Sequence, residues 1–430
     1  MLFKLTSSWS LAIRDAATSK GPHEALSLYT RMHRLSVPFD SFSVLFTLKS
    51  CTALRNPTLI SHLHSHILKL GFSAHVYVAT GLLNAYAALS LRDACKLFDE
   101  MPCKNTVTWN TMITCYARSG DVMAARRVFD EMPTRDVASW SAMITAFVNS
   151  CKWADGLGLF RRMMAGLAGV KPDQLTVGSV LSGCSQMGSL GLLVGMSIHS
   201  LVVKNGWEVN VKIGTPLIDM YSKCGLLKYA LRLFNLMEER NVMTWTAMIC
   251  GSAQNGHGME AIALFEMMRN TGMQPNEMTF TGVLSACANA GLVEEGRRYF
   301  TMLRECGVEP RIQHYGCMVD LFGKAGFLVE AYEVIQKMEF EPNIVLWGSY
   351  LAACKTHKRF EMAERVIDRV MRVVRPDHDG GVYTLISDLY ILSDKWDEAE
   401  RIRQLMLDQT TRKVRGSSSI EARRQQMNSM

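Results

Sequence analysis

No two of the twelve cysteines form a C-x-x-C pair, and they are scattered from Cys51 to Cys354. That spacing excludes the usual zinc sites, and a chain of 430 residues does not depend on a disulfide framework. A reducing compartment is the natural setting. Long apolar runs are also missing: the longest uncharged stretch, Leu175 to Val203, is interrupted by serines, glycines, Gln186 and His199. A membrane span is therefore not expected. Nor does the chain contain the H-x-E and P-C-x-x-C elements with which a zinc deaminase holds its metal and moves protons. No catalytic role, metal or cofactor is expected.

Charge is sparse as well, at 20% of residues with a net +7, which is compatible with a polyanionic partner without demanding one. Apolar residues make up 48%, enough to bury a core. The first fourteen residues, MLFKLTSSWSLAIR, hold Lys4 and Arg14 but no acid, in the manner of an organellar presequence. Trp9, however, already falls in the register of a repeat.

That repeat is the main content of the sequence. VTWNTMI at 107–113 returns as VASWSAMI at 137–144 and VMTWTAMI at 242–249. In the first, Trp109, Met112, Ile113 and Tyr116 share one helical face. Gly120 then stops the helix and Asp121 can cap a second, in which Ala125, Val128, Phe129 and Met132 repeat the spacing. The second-helix pattern recurs from Ala25, Ala94, Gly156, Ala230, Ala261, Gly296, Ala331 and Ala363, mostly at steps of 31 to 35 residues. The small residue permits close approach of two helices, and the bulky ones fill the space between hairpins. Proline followed by a polar residue closes many units, at Pro172-Asp173, Pro275-Asn276, Pro310-Arg311, Pro342-Asn343 and Pro376-Asp377. The expected fold is an all-α solenoid of helical hairpins.

The phrases VTWNTMI, MYSKCG (220–225), KPD (171–173), LSACANAGLVEEGRRYF (284–300) and HYGCMVDLFGKAGFLVEAYEVI (314–335) resemble the pentatricopeptide repeat family. The mixture of unit lengths resembles its plant-type PLS class. The resemblance implies a right-handed superhelix and ten repeats, 6–40, 41–75, 76–105, 106–136, 137–173, 174–210, 211–241, 242–276, 277–311 and 312–343, after a short leader at 1–5. Units 137–173 and 174–210 are 37 residues each, so local insertions are expected there. WGSYLAACK (347–355), YTLISDLYILSDKWDEAERIRQLM (383–406) and KVRGSSSIE (413–421) resemble the C-terminal E motifs, placing an E region at 344–421. Arg415 stands where that pattern has proline. A basic tail at 422–430 follows, and the family's deaminase-like terminal domain is expected to be absent. Arg412, Lys413, Arg415, Arg423 and Arg424 are candidates for phosphate contact.

In this family one nucleotide faces each repeat, read by the fifth and the last residue of the unit. Guanine and uracil carry a ring N–H that suits an acceptor such as Asp, while adenine and cytosine carry a bare ring nitrogen that suits Asn. A short Ser or Thr at the fifth position leaves room for a purine. On that basis Ser10 with Asp40 suggests G, Thr80 with Asn105 suggests A, Asn110 with Asp136 suggests U, and Ser141 with Asp173 suggests G. Thr215 with Asn241 and Thr246 with Asn276 both suggest A. Leu45/His75, Gly178/Asn210, Thr281/Arg311 and Gly316/Asn343 give no preference. The implied target is single-stranded 5′-GNAUGNAANN-3′ RNA in a plant organelle, a mitochondrion or alternatively a chloroplast.

The E-type resemblance implies a specificity factor for cytidine-to-uridine editing that recruits a trans-acting deaminase and accessory editing proteins. Transcript stabilisation, splicing or translation by occupancy, or a tetratricopeptide-like protein scaffold, are the alternatives. Two further clusters invite misreading. His62, His64 and His66 suggest a metal site, yet His64 aligns with His199 in the repeat register. Cys51, Cys184, Cys287 and Cys354 occupy equivalent places and are expected to be packing thiols.

Overall fold

The computed structural model describes residues 2–166, 169–373 and 380–409. Pro376-Asp377, the stretch 413–421 and the basic residues from Arg412 onward lie outside the described residues. Among the described residues there are helices and turns but no strand, as an all-α solenoid requires. The chain divides into two bodies, residues 1–239 and 240–430.

In the first body each hairpin pairs a first helix with a second. The pairs are α1 (Leu2–Asp15) with α2 (Pro22–Arg34), α3 (Ser41–Leu54) with α4 (Pro57–Lys69), and α5 (Val76–Ala87) with α6 (Leu91–Glu100). They continue as α7 (Thr106–Arg118) with α8 (Val122–Glu131), and α9 (Val137–Asn149) with α10 (Trp153–Met164). Next come α11 (Gln174–Cys184) with α12 (Gly188–Lys204), and α13 (Val211–Lys223) with α14 (Leu227–Leu236). The second body repeats the scheme with α15 (Val242–Gln254), α16 (Gly258–Asn270), α17 (Glu277–Ala290), α18 (Val293–Glu305), α19 (Ile312–Lys324) and α20 (Leu328–Gln336). Two more hairpins follow, α21 (Ile344–Thr356) with α22 (Phe360–Val373) and α23 (Gly380–Leu392) with α24 (Trp396–Gln409). Within each body a first helix packs on its own second helix and on the first helix of the next hairpin.

The sequence explains both packing modes. Gly120 takes a left-handed backbone (φ 85°), ending α7, and the Asp121 side chain accepts from the Ala124 N–H to begin α8. The recurrent small residues Ala94, Ala125, Ala230, Ala261 and Ala331 are fully buried. At Gly296 even a Cβ would lie 2.2 Å from Leu321 Cδ2 of the following hairpin.

At four junctions an aromatic of the second helix then meets the fourth residue of the next first helix edge to face. Phe98 meets Trp109 at 5.0 Å, Phe129 meets Trp140 at 5.1 Å, Phe265 meets Phe280 at 5.6 Å, and Phe300 meets Tyr315 at 5.4 Å. This explains the recurring Trp of the repeat phrase: it is the joint between hairpins. In the long unit 174–210, α12 runs to 17 residues, longer than any other second helix described.

In the histidine cluster His62 is exposed, while His66 Nδ1 bonds the Tyr29 hydroxyl at 2.9 Å. His64 Nδ1 bonds the Tyr86 hydroxyl at 3.0 Å, and His199 Nδ1 bonds Tyr221 at 2.9 Å, the same arrangement in two units. Burial lowers the pKa of both imidazoles. Cys51, Cys184 and Cys354 are buried, which pushes their thiols up to about 11; burial pushes Cys287 up to about 12. These thiols remain protonated at neutral pH and serve as small apolar fillers. No described helix is long and apolar enough to cross a membrane.

Candidate nucleic-acid interface

A helix begins with four N–H groups that have no partner within it. In this chain the residue placed before each first helix answers that need. Asp40, His75, Asn105, Asp136, Asp173, Asn210, Asn241, Asn276 and Asn343 each accept a backbone N–H from the first turn of the helix that follows. The last residue of a unit is thus the N-cap of the next unit's first helix. Asn and Asp lead the ranking of N-caps, each worth about 1 kcal/mol over Ala. Arg311 is the exception, since its side chain makes no such bond and pairs instead with Glu277 at 2.9 Å.

The fifth residues lie on the same side, one turn into the preceding first helix. Their hydroxyls are recessed: Ser10 is 8% exposed, Thr80 5%, Ser141 4% and Thr246 6%. The paired last residues stand further out, with Asp136, Asp173 and Asn241 exposed and Asp40, Asn105 and Asn276 half-buried. The two members of a pair approach directly in two units. Ser10 Oγ donates to the Asp40 carboxylate at 2.8 Å, and Asn110 Nδ2 donates to Asp136 Oδ1 at 3.4 Å.

In three other units a hydroxyl on the next first helix bridges them: Thr108 between Thr80 and Asn105, Thr176 between Ser141 and Asp173, and Thr279 between Thr246 and Asn276. Asn241 is held by Thr244, while Thr215 is half-buried on α13. Desolvation raises the Asp136 pKa, but hydrogen bonds from Ser139 and Asn110 outweigh it and hold the carboxyl below its usual range. Asp136 is therefore an acceptor at neutral pH.

Two features emerge only from the structure. One is the bridging hydroxyl, whose signal in the sequence is Asp/Asn-x-x-Ser/Thr, a variant of the capping-box pattern. The other is an exposed apolar residue at the second position of most first helices, including Phe42, Tyr77, Val107, Leu175, Met243 and Met278. These lie off the core stripe, where an apolar side chain has no packing role. Around the third unit both features meet in a cleft of about 630 Å³, lined by Tyr77, Val107, Thr80, Asn105, Lys49 and Arg55 among others. It offers two apolar flanks, a polar floor and two cations.

The sixth unit shows why one of the pairs without a preference is built differently. A Cβ on Gly178 would lie 2.7 Å from the Lys212 carbonyl oxygen. Four residues beyond Lys212 stands Pro216, which has no N–H to bond that carbonyl. The freed carbonyl therefore faces the glycine. Gly178→Ser is expected to destabilise the chain by ~1–3 kcal/mol through overpacking, measured by urea unfolding. Unchanged stability would show that α13 can move aside.

Against this geometry, the likeness to known proteins is specific. The PPR repeat family profile matches residues 104–137 and 240–289, and the PPR repeat profile matches 138–165, 215–242, 278–308 and 314–341. A pentatricopeptide repeat-containing protein of Arabidopsis thaliana is 37% identical over 401 residues, covering 92% of this chain and 74% of the relative. The chloroplastic pentatricopeptide repeat-containing protein CRR2 of the same plant is 34% identical, covering 97% of this chain and 59% of that one. A mitochondrial relative from Arabidopsis thaliana is 36% identical, with 97% and 60% covered. This chain thus spans about three fifths to three quarters of the length of these curated relatives.

Among solved structures, the maize pentatricopeptide repeat protein PPR10, in complex with an 18-nt psaJ RNA element, superposes with a TM-score of 0.71 at 17% identity. That match covers 95% of this chain and 61% of the other, and it shows a shared fold. Hairpins joined through an aromatic, capped by Asn or Asp at most junctions, and a 37% identical relative covered over 74% of its length lead to one conclusion: the chain belongs to the pentatricopeptide repeat family.

Proposed function

We propose that this chain is a sequence-specific single-stranded RNA-binding protein of a plant organelle, acting by binding and not by catalysis. The observation that carries the reading is the cleft around Thr80 and Asn105. Its apolar flanks, Tyr77 and Val107, suit the two faces of a base; its floor offers a hydroxyl and an amide to the base edge; Lys49 and Arg55 suit phosphate. The RNA held by the maize neighbour supports the same reading. Each informative pair would face one nucleotide, giving 5′-GNAUGNAANN-3′, with discrimination of ~1–3 kcal/mol per base at best.

The finer assignment is to the PLS class and its E subgroup, as a site-recognition factor for cytidine-to-uridine editing. The repeats would seat the chain just 5′ of a target cytidine, and the region 344–421 would recruit a trans-acting deaminase and accessory editing proteins. Relatives of both mitochondrial and chloroplastic name support an organelle, and a mitochondrion is our first choice.

The test is binding of the purified chain to 5′-GNAUGNAANN-3′ RNA and to a composition-matched shuffle, at two salt concentrations. The predicted sequence should bind at least tenfold tighter. Affinity should also fall steeply with salt, with a logarithmic slope of about −0.7 per phosphate neutralised. Equal, weak binding to both would overturn the reading in favour of a protein-interaction scaffold.

A further inference from the structure

Three residues after the last member of every pair with an assigned base stands a serine or threonine: Ser43, Thr108, Ser139, Thr176, Thr244 and Thr279. The four units without an assignment are followed there by Val78, Ile213, His314 and Leu346. All six hydroxyl residues are fully buried. A hydroxyl in such a place is costly unless bonded, so its partners state its role.

In five of the six the hydroxyl donates to Oδ1 of the last residue. Thr108 reaches Asn105 at 2.8 Å, Ser139 reaches Asp136 at 2.7 Å, and Thr176 reaches Asp173 at 2.6 Å. Thr244 reaches Asn241 at 3.0 Å and Thr279 reaches Asn276 at 2.9 Å. The backbone N–H of the same residue donates to that same oxygen, at 2.8 to 3.0 Å.

An N–H can only donate, so it fixes which end of each asparagine amide is oxygen. The remaining group, an NH2 on Asn105, Asn241 and Asn276 or the second carboxylate oxygen on Asp136 and Asp173, is left for a ligand. With its proton given to Oδ1, the buried hydroxyl can only accept from the fifth residue. Thr80 lies 2.8 Å from Thr108 and Thr246 lies 2.7 Å from Thr279, and Ser141 bonds Thr176. The fifth proton is shared between that buried hydroxyl and, for Thr80 and Ser141, the carbonyls of Val76 at 2.7 Å and Val137 at 2.8 Å, so it stays inside the protein and lone pairs remain for a base. Ser43 is the variant: it donates to the Asp40 carbonyl at 2.8 Å, and Ser10 itself bonds the carboxylate.

Where the hydroxyl is missing the arrangement changes. Beside Ile213, the Oδ1 of Asn210 moves to the Lys212 N–H at 3.0 Å and its amide nitrogen donates to Gln174 at 2.9 Å. Beside His314, Thr281 donates to the carbonyl of Glu277 at 3.0 Å, the helix-internal bond that Thr80 and Ser141 also make, and position 314 supplies no hydroxyl to share it. Asn343 still caps the Leu346 N–H at 3.0 Å, but the fifth residue of its unit is Gly316.

We infer that the third-position hydroxyl is a positioning residue for base discrimination: with Ser or Thr at the fifth position it helps hold that proton inward, leaving the fifth residue an acceptor, and it fixes the last residue as a donor (Asn) or acceptor (Asp). Threonine with asparagine then offers an acceptor beside a donor, the complement of adenine N6–H2 and N1. Serine with aspartate offers two acceptors, the complement of guanine N2–H2 and N1–H. This deepens, and rests on, the RNA-binding reading above.

The test uses the full chain with Thr108→Val and, separately, Thr279→Val, each of nearly unchanged side-chain shape, checked for helical content by circular dichroism. Affinity is measured for four RNAs that differ only at the nucleotide facing unit 76–105, and for four that differ only at the one facing 242–276. Each variant should shrink the adenine preference at its own nucleotide from about tenfold or more to within about threefold, leaving the other nucleotide as in the parent. Thr279→Ser should restore it.

An unchanged preference, or an equal loss of affinity for every RNA, would overturn the inference and leave the hydroxyl a purely structural cap. A parent chain with no base preference at either nucleotide would instead overturn the RNA reading itself, and the inference with it. Thr108 and Thr279 lie in separate bodies, so a folding defect in one leaves the other as a complete test.

Discussion

Replacing Asn110 with Thr and Asp136 with Asn together should move the preference at the fourth nucleotide from uracil to adenine. The change is expected to be worth ~1–3 kcal/mol in each direction, seen as a reversal in the ratio of the two dissociation constants. The local structure accommodates the exchange. Asp136 caps α9 through the Ser139 N–H at 2.8 Å, and asparagine caps as well as aspartate. A threonine at 110 would occupy the place that Thr80 holds in the unit before, within reach of Ser139 as Thr80 is of Thr108.

Stability at neutral pH should therefore hardly change. Its acid dependence should change, because the folded pKa of Asp136 is depressed. That carboxylate contributes stability above its unfolded pKa, which is lost as pH falls through the folded value; the Asn variant has nothing to lose there. A base preference that stayed on uracil would show that this pair does not read the fourth nucleotide.

The largest effect on stability is expected from Phe265→Ala. The ring is fully buried and meets Phe280 at 5.6 Å and Tyr299 at 5.1 Å, so it ties α16 to both α17 and α18. Truncation should cost ~3–5 kcal/mol, the transfer and cavity terms together, and it removes both edge-to-face ring pairs. In an array where hairpins touch only neighbours the damage should stay local. Hydrogen exchange should show amides of α16 to α18 losing protection by a factor of about 100 or more, while those of α5 to α8 keep theirs. A loss spread evenly over the whole chain would contradict the repeat-by-repeat description.

Much of this architecture is legible in the sequence because the repeat writes the same physics many times. One unit with Trp109, Met112, Ile113 and Tyr116 on a face suggests a helix; nine small residues followed by bulky ones at +3, +4 and +7 identify hairpins. What each hydroxyl does is not legible. In the sequence Thr279 and Ser139 look like poor core residues, or like cap partners. A buried hydroxyl's value depends on what lies across the interface, and sequence spacing does not show that. The same holds for Gly178, whose absence of a side chain answers a carbonyl freed by a proline 38 residues away. Met243 and Met278 are hidden differently: they look like ordinary members of an apolar run, and only their exposure separates them from the core.

The double duty of the junction residue has a consequence for how such a chain changes over generations. Asparagine and aspartate start a helix equally well, so exchanging one for the other leaves the scaffold intact while inverting donor and acceptor at the outward atom. Their codons differ by one letter. If these residues read bases as proposed, a lineage could move from one RNA address to another through single-letter steps that keep the helix start capped. Arg311 pairs with Glu277 and does not cap, so such a step there would have to rebuild the start of α19 as well.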